Sequence, residues 1–426
     1  MSGYARYGRG LATFLARLAR DRMTAFLPGR RERFNAWRYV PDLLEGLGPG
    51  FIKMGQLAST RRDLLSEQAR TALARLRENC QPLPELYVHA IVAGAGQPAG
   101  QSPRPLGFGS IAGVYLAHLS SGPPVAVKVR RPGVARRLQA DAGNARRLGH
   151  AVGRLPWLRA LPLREMVDFL ATAAEMQVDL ATEQRNLGEL RKTLAHLGVR
   201  VPAPLPAAAS ADRLVMEYLP AFAATPGRGL DGVAARPADD GPPEPAADGT
   251  ARAVKLLEAT FTMIFRSGFV HLDLHEGNFA WDPDGTLNIV DAGFAVQLTP
   301  RTRRQFSEFF IGLSFGNGRR SADAILRSAV RLPPALNREA FTAEITEVIR
   351  AHRRLPARDF RVAAFTAELF AIQRRHNVFI SSEFAAPVFA LLTIEEQVRE
   401  WAPDLDFQVV AQAIIISSIA LIPCGV

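Results

Sequence analysis

The sequence predicts an α+β fold in which a helical N-terminal extension and a small strand-rich lobe precede a mostly helical C-terminal lobe. Two pairs of short apolar runs carry the predicted strands, at residues 114–116 with 125–129 and at residues 279–281 with 287–290. After them, apolar residues recur at helical spacing, at Phe306, Phe309, Phe310 and Leu313. A chain of 426 residues is long enough to bury a large core in such an arrangement.

Basic charge is concentrated at the N-terminal end of the chain. The formal net charge is +11, and residues 1–40 hold nine arginines against two acidic residues. Residues 1–46 are predicted to form a basic helical arm. The arm either binds an anionic membrane surface or an acidic partner, or it presents a solvated charged face. Nucleic-acid binding is not expected, because no recognised module or repeated aromatic-basic pattern occurs. Cys80 and Cys424 lack metal-ligand spacing, so we expect free thiols in a reducing compartment.

Residues 47–100 are predicted to form a helical extension. Its segment LGPGFIKMGQLAST contains Lys53 and Gln56, and Lys53 is one of only four lysines in the chain. An amphipathic helix pair would account for the apolar spacing. Alternatively, Lys53 reaches a phosphate and Gln56 forms a hydrogen bond beside it. The spacing alone leaves both interpretations open.

Residues 101–220 contain the elements of a nucleotide-binding lobe. A loop of small residues, which lets backbone amides approach phosphates closely, contains Gly107, Gly109 and Ser110. The hairpin that follows ends in V-A-V-K, whose Lys128 would neutralise the α and β phosphates of a nucleotide. A later apolar strand ends at Glu217, in the position of a hinge whose backbone groups bind the adenine edge.

A long helix is predicted over residues 163–195. Its face at positions i, i+4 and i+7 carries Asp179, Glu183 and Asn186. Such a face is often only a solvated charged surface. Next to a V-A-V-K strand, however, the pattern favours Glu183 as the ion-pair partner of Lys128.

Residues 251–426 are predicted to form the helical lobe, after a flexible insertion rich in Pro, Ala and Gly at residues 221–250. The candidate site residues of this lobe lie in the stretch HLDLHEGNFAWDPDGTLNIVDAG. Its spacing is that of a phosphoryl-transfer loop, in which Asp273 accepts the substrate proton while Asn278 and Asp291 hold magnesium. The turn residues Asp-Pro-Asp-Gly predict a hairpin that brings Asn278 and Asp291 together.

The last apolar run, residues 409–426, is interrupted by Gln412, Ser417, Ser418 and Pro423. That composition is marginal for a membrane span, so we expect a buried terminal helix.

Together these motifs resemble those of the UbiB family, atypical protein-kinase-like proteins linked to coenzyme Q biosynthesis and lipid homeostasis. The resemblance runs from about residue 45 to about residue 320. Its most specific mark is the K-x-G-Q element at residues 53–56, which ordinary kinases and small-molecule kinases lack. V-A-V-K-V-x-R-P-G-V matches residues 125–134, and H-x-D-x-H-x-G-N matches residues 271–278.

The resemblance implies a bilobal protein-kinase-like fold and a Mg²⁺-dependent phosphotransferase or ATPase that binds ATP or ADP. It also implies that the K-x-G-Q element and an E-x-D pair cover the active site and restrain protein phosphorylation. Lys53, Gln56 and Asp179 would then be regulatory, with Lys53 over the nucleotide site and Asp179 as its neighbour.

The chain departs from the family pattern at four places. The nucleotide loop is Gly-Phe-Gly where the family loop is rich in alanine, and Gln177 replaces the glutamate of the E-x-D pair. Glu276 replaces the usual proline of the catalytic loop, and Ala292 replaces the phenylalanine of D-F-G. None of these changes removes a predicted metal ligand.

Two other functions remain open from the sequence. A small-molecule kinase resembling the aminoglycoside and choline kinases would share H-x-D-x-H-x-G-N, but the K-x-G-Q element argues against it. A pseudokinase scaffold would bind nucleotide without turnover, and the intact set Lys128, Asp273, Asn278 and Asp291 argues against that. Besides the nucleotide, the expected partners are an anionic membrane or isoprenoid lipid and an unknown protein. The expected location is the cytoplasm, peripheral to the inner membrane face.

Overall fold

The computed structural model describes most of the chain, namely residues 12–14, 16–17, 19–20, 36–59, 67–77, 82–98, 100–120, 122–152, 163–222 and 249–419. Most of the predicted basic arm, both cysteines and most of the predicted insertion lie outside these residues. The described residues form two compact units. The first contains the described residues up to Gln184 and Pro204–Tyr218, and the second contains Arg185–Ala203 and those from Leu219 onward. The predicted domain boundaries stay a prediction.

An antiparallel sheet of four strands forms the centre of the first unit. Its strands, in spatial order, are β1 (Arg104–Phe108), β2 (Ala112–Ala117), β3 (Val125–Arg130) and β4 (Arg213–Glu217). β3 is buried along almost its whole length, which suits its run of valines. One face of the sheet packs against helix α4 (Glu85–Ala93), through Val88 and Val92 against Val127 and Val129.

The remaining helices of the first unit include the K-x-G-Q segment. Besides α4, the α-helices of this unit are α1 (Val40–Leu47), α2 (Pro49–Ser59), α3 (Glu67–Ala74), α5 (Val134–Val152) and α6 (Leu163–Met176). Lys53 and Gln56 lie on α2. Near its N-terminus, the backbone N–H of Gly50 donates to Oδ2 of the buried Asp141 on α5 at 3.0 Å. Asp141 therefore supplies an acceptor to one of the N–H groups that the first turn of a helix leaves without a partner.

The prediction of one helix over residues 163–195 is wrong. The chain forms α6 and then α7 (Leu180–Leu194), with a break at residues 177–179. Asp179 lies in that break, where its Oδ1 accepts hydrogen bonds from the backbone N–H groups of Ala181 and Thr182, each at 3.1 Å. A carboxylate in this position caps a helix start. Asp179 is therefore not part of a helical face shared with Glu183 and Asn186.

The second unit is mostly helical, as predicted. Its helices are α8 (Gly249–Phe261), α9 (Pro300–Phe315), α10 (Gly318–Ser328), α11 (Arg338–His352), α12 (Val362–Arg375), α13 (Ser382–Trp401) and α14 (Phe407–Ile419). A set of stacked and edge-on phenylalanines joins α8, the π-helix that follows it (Thr262–Ser267), α9 and α14. The set contains Phe261, Phe265, Phe306, Phe310 and Phe407. The helical spacing of Phe306 and Phe310 in the sequence thus marked a real core.

Three small antiparallel ribbons complete the second unit. They pair β5 (Phe269–His271) with β8 (Ala295–Gln297), β6 (Phe279–Trp281) with β7 (Leu287–Ile289), and β9 (Ala329–Arg331) with β10 (Phe379–Ile380). β8, β9 and β10 therefore interrupt the part of the predicted helical lobe that follows Asp291, where the sequence indicated helices. Strands of two or three residues pair with distant partners, and their own sequence is too short to show a period.

The described part of the final apolar run is α14. Ala411 and Ile415 on this helix are buried, whereas Val409 and Ile416 are exposed. Across the described residues, we find no helix with both the length and the apolar character needed to cross a membrane.

Gly312 on α9 lies against the first turn of α10. A Cβ atom there would lie 2.2 Å from Oγ of Ser321 and 2.8 Å from its backbone nitrogen. We expect Gly312→Ala to lower the free energy of unfolding by about 2 kcal/mol, because backbone has to move to make room. Gly188, in the same unit, has open space around its Cβ position, so Gly188→Ala should raise stability by about 1 kcal/mol. Urea denaturation measures both, and changes of the same sign would contradict this packing.

Candidate functional site

A hairpin in the second unit brings Asn278 and Asp291 together, as predicted. In it β6 pairs with β7 so that Phe279 lies opposite Ile289. The backbone N–H of Val290 donates to the carbonyl of Asn278 at 2.8 Å. The pairing thus continues to the residue before Asp291. The predicted hairpin is confirmed, and its open end carries both predicted metal ligands.

The turn of this hairpin has the chemistry that its sequence predicts. The N–H of Asp282 donates to the carbonyl of Thr286 at 2.9 Å, and Gly285 has a φ of 81°. A left-handed φ at this position favours glycine. Asp284 Oδ1 accepts from the N–H of Thr286 at 2.9 Å, which closes the turn a second time.

Asp291 has an unusual backbone conformation. Its φ is 58°, in the left-handed region that residues other than glycine seldom adopt. Its Oδ1 accepts a hydrogen bond from the N–H of Gly293 at 2.9 Å, and its carbonyl accepts one from Nε2 of His271. Residues held in such conformations are concentrated at functional sites, where the surrounding contacts maintain them.

His271 ties the catalytic loop to this strained segment, a role that the sequence reasoning missed. It is fully buried, and its Nδ1 accepts from the N–H of Asp273 at 3.1 Å. Burial lowers the pKa of the imidazole, against the opposing effect of the hydrogen bond to Asp291. Because Nδ1 accepts a hydrogen bond, Nε2 is the ring nitrogen that donates to the carbonyl of Asp291. The only signal in the sequence was the histidine two positions before Asp273.

Asn278 is oriented by its own loop. Its side chain is buried, and Nδ2 donates to the carbonyl of Asp273 at 2.8 Å. Since the amide nitrogen is used in this way, the amide oxygen is the atom that this side chain can offer to a cation. Asp273 is itself buried, and its Oδ2 lies 3.9 Å from Nε2 of His275.

A second amide holds the D-A-G segment. Nδ2 of Asn186, on α7, donates to the carbonyl of Ala292 at 2.8 Å. The side chain of Ala292 is fully buried. The residue in the place of the D-F-G phenylalanine is thus fixed by a backbone contact and by packing.

The donor set suits magnesium that is bound together with phosphate. The described residues contain no group of three or more His, Cys, Asp or Glu side chains that could hold a metal on their own. Asn278 and Asp291 offer one amide oxygen and one carboxylate. Mg²⁺ prefers such a small set of protein oxygens, with waters and nucleotide phosphates completing its six ligands. The residues present therefore fit a magnesium–nucleotide complex.

The first unit contains the predicted ion pair, which is confirmed. Nζ of Lys128, on β3, donates to Oε1 of Glu183, on α7, at 2.6 Å. The two side chains are only 11% and 1% exposed. Two opposite charges removed from water in this way depend on each other, because either alone would be strongly penalised.

The predicted nucleotide loop has side-chain contacts within the first unit. Nε of Arg131 donates to the carbonyl of Gly109 at 2.9 Å, and Phe108 packs edge-on against Tyr115. The hydroxyl of Ser110 donates to Oε1 of Gln56 at 2.9 Å. The loop is therefore connected to the K-x-G-Q helix by a direct hydrogen bond.

Gln56 and Lys53 differ in how they are used. Gln56 is buried, and its Nε2 donates to the carbonyl of Leu76 at 2.8 Å, so both ends of its amide are engaged. Lys53 is half-buried and forms no ion pair with any described residue. The carboxylate of Asp179 caps α7, and its expected place beside Lys53 stays a prediction. The position of Lys53 over the nucleotide site stays a prediction.

Two further predicted residues lie on the sheet side of the first unit. Gly107, in β1, pairs with Val114, and Glu217, the last residue of β4, pairs with Val125. The side chain of Glu217 is exposed. Its predicted use, through backbone groups that bind an adenine edge, stays a prediction.

The fold and these side-chain groups define a kinase-like protein. The family model described as "ABC1 atypical kinase-like domain" matches residues 99–324, more than half of the chain. The protein belongs to this family of UbiB-type atypical kinases.

Named relatives agree with this assignment. The chain is 28% identical over 385 residues to "Probable protein kinase UbiB" of Marinobacter nauticus, covering 87% of this chain and 67% of that protein. It is 28% identical over 407 residues to the protein of the same name in Pseudomonas aeruginosa, covering 91% and 72%. A solved structure of a Rv3197–erythromycin complex from Mycobacterium tuberculosis superposes with a TM-score of 0.46 at 18% identity, covering 95% of this chain and 97% of that one.

The burial of the Lys128–Glu183 pair predicts how its removal affects stability. We expect Glu183→Leu to lower the free energy of unfolding by about 3 kcal/mol, because it removes the carboxylate that contacts the buried charge of Lys128. Lys128→Met/Glu183→Leu should recover most of that loss, since both charges leave the interior together. Urea denaturation gives the comparison. A double variant as unstable as the single one would contradict the prediction.

The exposed pair of Lys192 and Glu189 on α7 is a matched control. Its side chains are 74% and 57% exposed. We expect Glu189→Leu to change stability by no more than about 0.5 kcal/mol, because a solvated pair contributes little.

Proposed function

We propose that the protein is a UbiB-type kinase or ATPase that binds ATP or ADP with Mg²⁺ and transfers or hydrolyses the terminal phosphoryl group. The observation that carries the proposal is the open end of the β6–β7 hairpin. It combines an oriented amide at Asn278, a carboxylate held in a left-handed conformation at Asp291, and a buried Asp273 on the same loop. These are the groups that phosphoryl transfer requires from the protein.

Each side chain has a role that its surroundings support. Asp273 would accept the proton of an attacking hydroxyl or water, and His271 fixes the backbone on which that carboxylate stands. Asn278 and Asp291 would supply their oxygens to the cation. Magnesium, when bound, would neutralise charge that develops on the phosphate oxygens. In the first unit, Lys128 would contact the nucleotide phosphates while Glu183 holds its side chain in place.

For the K-x-G-Q element we propose regulation through the nucleotide loop. Ser110 follows the two loop glycines, and its hydrogen bond to Gln56 restrains the loop from α2. The resemblance suggested an electrostatic clamp of lysine with two carboxylates. In this chain one of those positions is Gln177 and the other, Asp179, caps a helix. A neutral hydrogen bond would therefore carry most of the restraint here, and Lys53 would add positive charge.

The partners and setting are proposed from the family and from charge. We propose action in the cytoplasm or at the inner membrane face, in support of quinone or lipid metabolism. The nine arginines of residues 1–40 would each gain on the order of 1 kcal/mol near an anionic surface. Addition of anionic liposomes to the activity assay, with and without those residues, tests this part separately.

Replacement of Asp291 tests the site itself. We expect magnesium-dependent nucleotide hydrolysis by the wild-type protein. In Asp291→Asn, turnover should fall on the order of 100-fold, because a neutral amide replaces the charged metal ligand. Thermal stabilisation by Mg²⁺ with ATP or ADP should also be lost in this variant, whereas Mg²⁺ alone should stabilise neither protein.

Asp284→Asn is the matched control, since it removes a carboxylate from the turn of the same hairpin and leaves its open end unchanged. It should retain turnover. If Asp291→Asn kept full magnesium-dependent stabilisation, the assigned metal site would be wrong. Magnesium-dependent binding without any turnover would favour a pseudokinase scaffold.

A further inference from the structure

The catalytic loop has a side-chain contact that neither the predicted mechanism nor the family motif includes. Oε1 of Glu276 accepts a hydrogen bond from Nε2 of Gln397 at 2.6 Å. Gln397 lies on α13 and is 6% exposed, whereas Glu276 is exposed. A hydrogen bond to a carboxylate at this distance is of the strong, charge-assisted kind. It joins the loop between Asp273 and Asn278 to a buried position on a 20-residue helix.

The same face of α13 contacts the strand that follows the loop. Trp401 lies one helical turn after Gln397, at i+4, so the two side chains share a face. The ring of Trp401 packs edge-on against Phe279 at 6.0 Å and against Trp281 at 6.1 Å between centroids. One face of one helix therefore holds the chain on both sides of Asn278.

We infer that Gln397 is a positioning residue for phosphoryl transfer, acting through Glu276 on the placement of Asp273 and Asn278. The inference rests on the proposed function, because it assigns a role in that reaction. Within the loop, the N–H of His275 donates to the carbonyl of Asp273, and the N–H of Asn278 donates to that of His275. These two bonds shape the turn. The contact to Gln397 joins the tip of the loop to α13.

The identity of residue 276 explains why the chain uses this contact. The resemblance gives proline as the usual residue here, and proline restricts its own φ without any partner. Glutamate has no such restriction, so the loop would gain conformational freedom. The N–H of Glu276 donates to no group within the described residues, so the position has no backbone hydrogen bond that proline would remove. The hydrogen bond from Gln397 thus restrains the loop at a position where the ring of proline would restrict the backbone.

An exchange of the two side chains tests this inference. We expect Gln397→Leu and Glu276→Ala each to lower kcat for magnesium-dependent hydrolysis on the order of tenfold, because small misplacement of catalytic groups is costly. The KM for nucleotide should stay within about twofold, since the loop acts on the reacting end. Gln397→Glu alone would place two carboxylates together and should also lose activity. Glu276→Gln/Gln397→Glu, which preserves net charge and the hydrogen bond, should return to within about threefold of wild type.

Two further variants keep the result interpretable. Gln305→Leu removes a buried glutamine on α9 that donates to the carbonyl of Arg327 on α10, a contact that does not involve the loop. It should lower stability without loss of turnover, and so reports the cost of losing such a bond. Glu276→Pro should retain more activity than Glu276→Ala. In the Glu276→Pro background, the addition of Gln397→Leu should lower kcat no further.

The outcomes separate this inference from the proposed function. Normal turnover in both Gln397→Leu and Glu276→Ala, or an exchanged pair no better than the single variants, would overturn the positioning role and leave the proposed function intact. A wild-type protein that neither hydrolyses nucleotide nor binds it with magnesium would overturn the proposed function and the inference with it. Because Glu276 is exposed, its variants remain informative even if those of Gln397 do not fold.

Discussion

The pairing of β6 with β7 is the interaction on which the candidate site depends. Asn278 and Asp291 are 13 residues apart in the chain, and only the antiparallel register places them at the same end of a ribbon. The ribbon is three residues long on each side, too short to be stable alone. Its neighbours supply the rest, through the Trp401 contacts on one strand and the bridge of Arg200 to Asn288 on the other. The placement of the two proposed metal ligands therefore depends on the packing around a small hairpin.

The polar contacts around the site share one feature, which is that side chains donate hydrogen bonds to backbone carbonyl groups. Backbone carbonyls at Asp273, Asp291 and Ala292 each accept from a side chain, and the donors come from the loop itself, from His271 and from α7. Side chains that donate in this way fix the backbone on which the carboxylates of Asp273 and Asp291 lie. In the first unit the same logic appears at Gly109, whose carbonyl accepts from Arg131. The neighbours of the motif residues thus mainly fix main-chain geometry.

Local patterns predicted the parts of the site that local chemistry determines. The hairpin could be predicted because Asp-Pro-Asp-Gly has strong turn preferences, and the Lys128–Glu183 pair because a V-A-V-K strand followed by an acidic helix is a known combination. The roles of Asp179 and Gln397 could not be predicted from local patterns. Asp179 lies four residues before Glu183, which is the spacing of a helical face. Its side chain nevertheless accepts hydrogen bonds from backbone N–H groups and caps the start of α7, so Asp179 is not part of that face. Gln397 is 121 residues from Glu276, and no spacing in the sequence connects them.

The cap at Asp179 also has a consequence for which changes the chain can accept. The helix start fixes the angular phase of every later residue on α7, since each one advances about 100° around the axis. The contact of Glu183 with Lys128 and the contact of Asn186 with the carbonyl of Ala292 therefore both depend on the residue at which α7 begins. Asn or Ser at position 179 could supply the same cap, so the identity of the residue can vary. A deletion or insertion of one residue between positions 179 and 183 would rotate both contacts away together. Length in this segment is therefore constrained more tightly than composition.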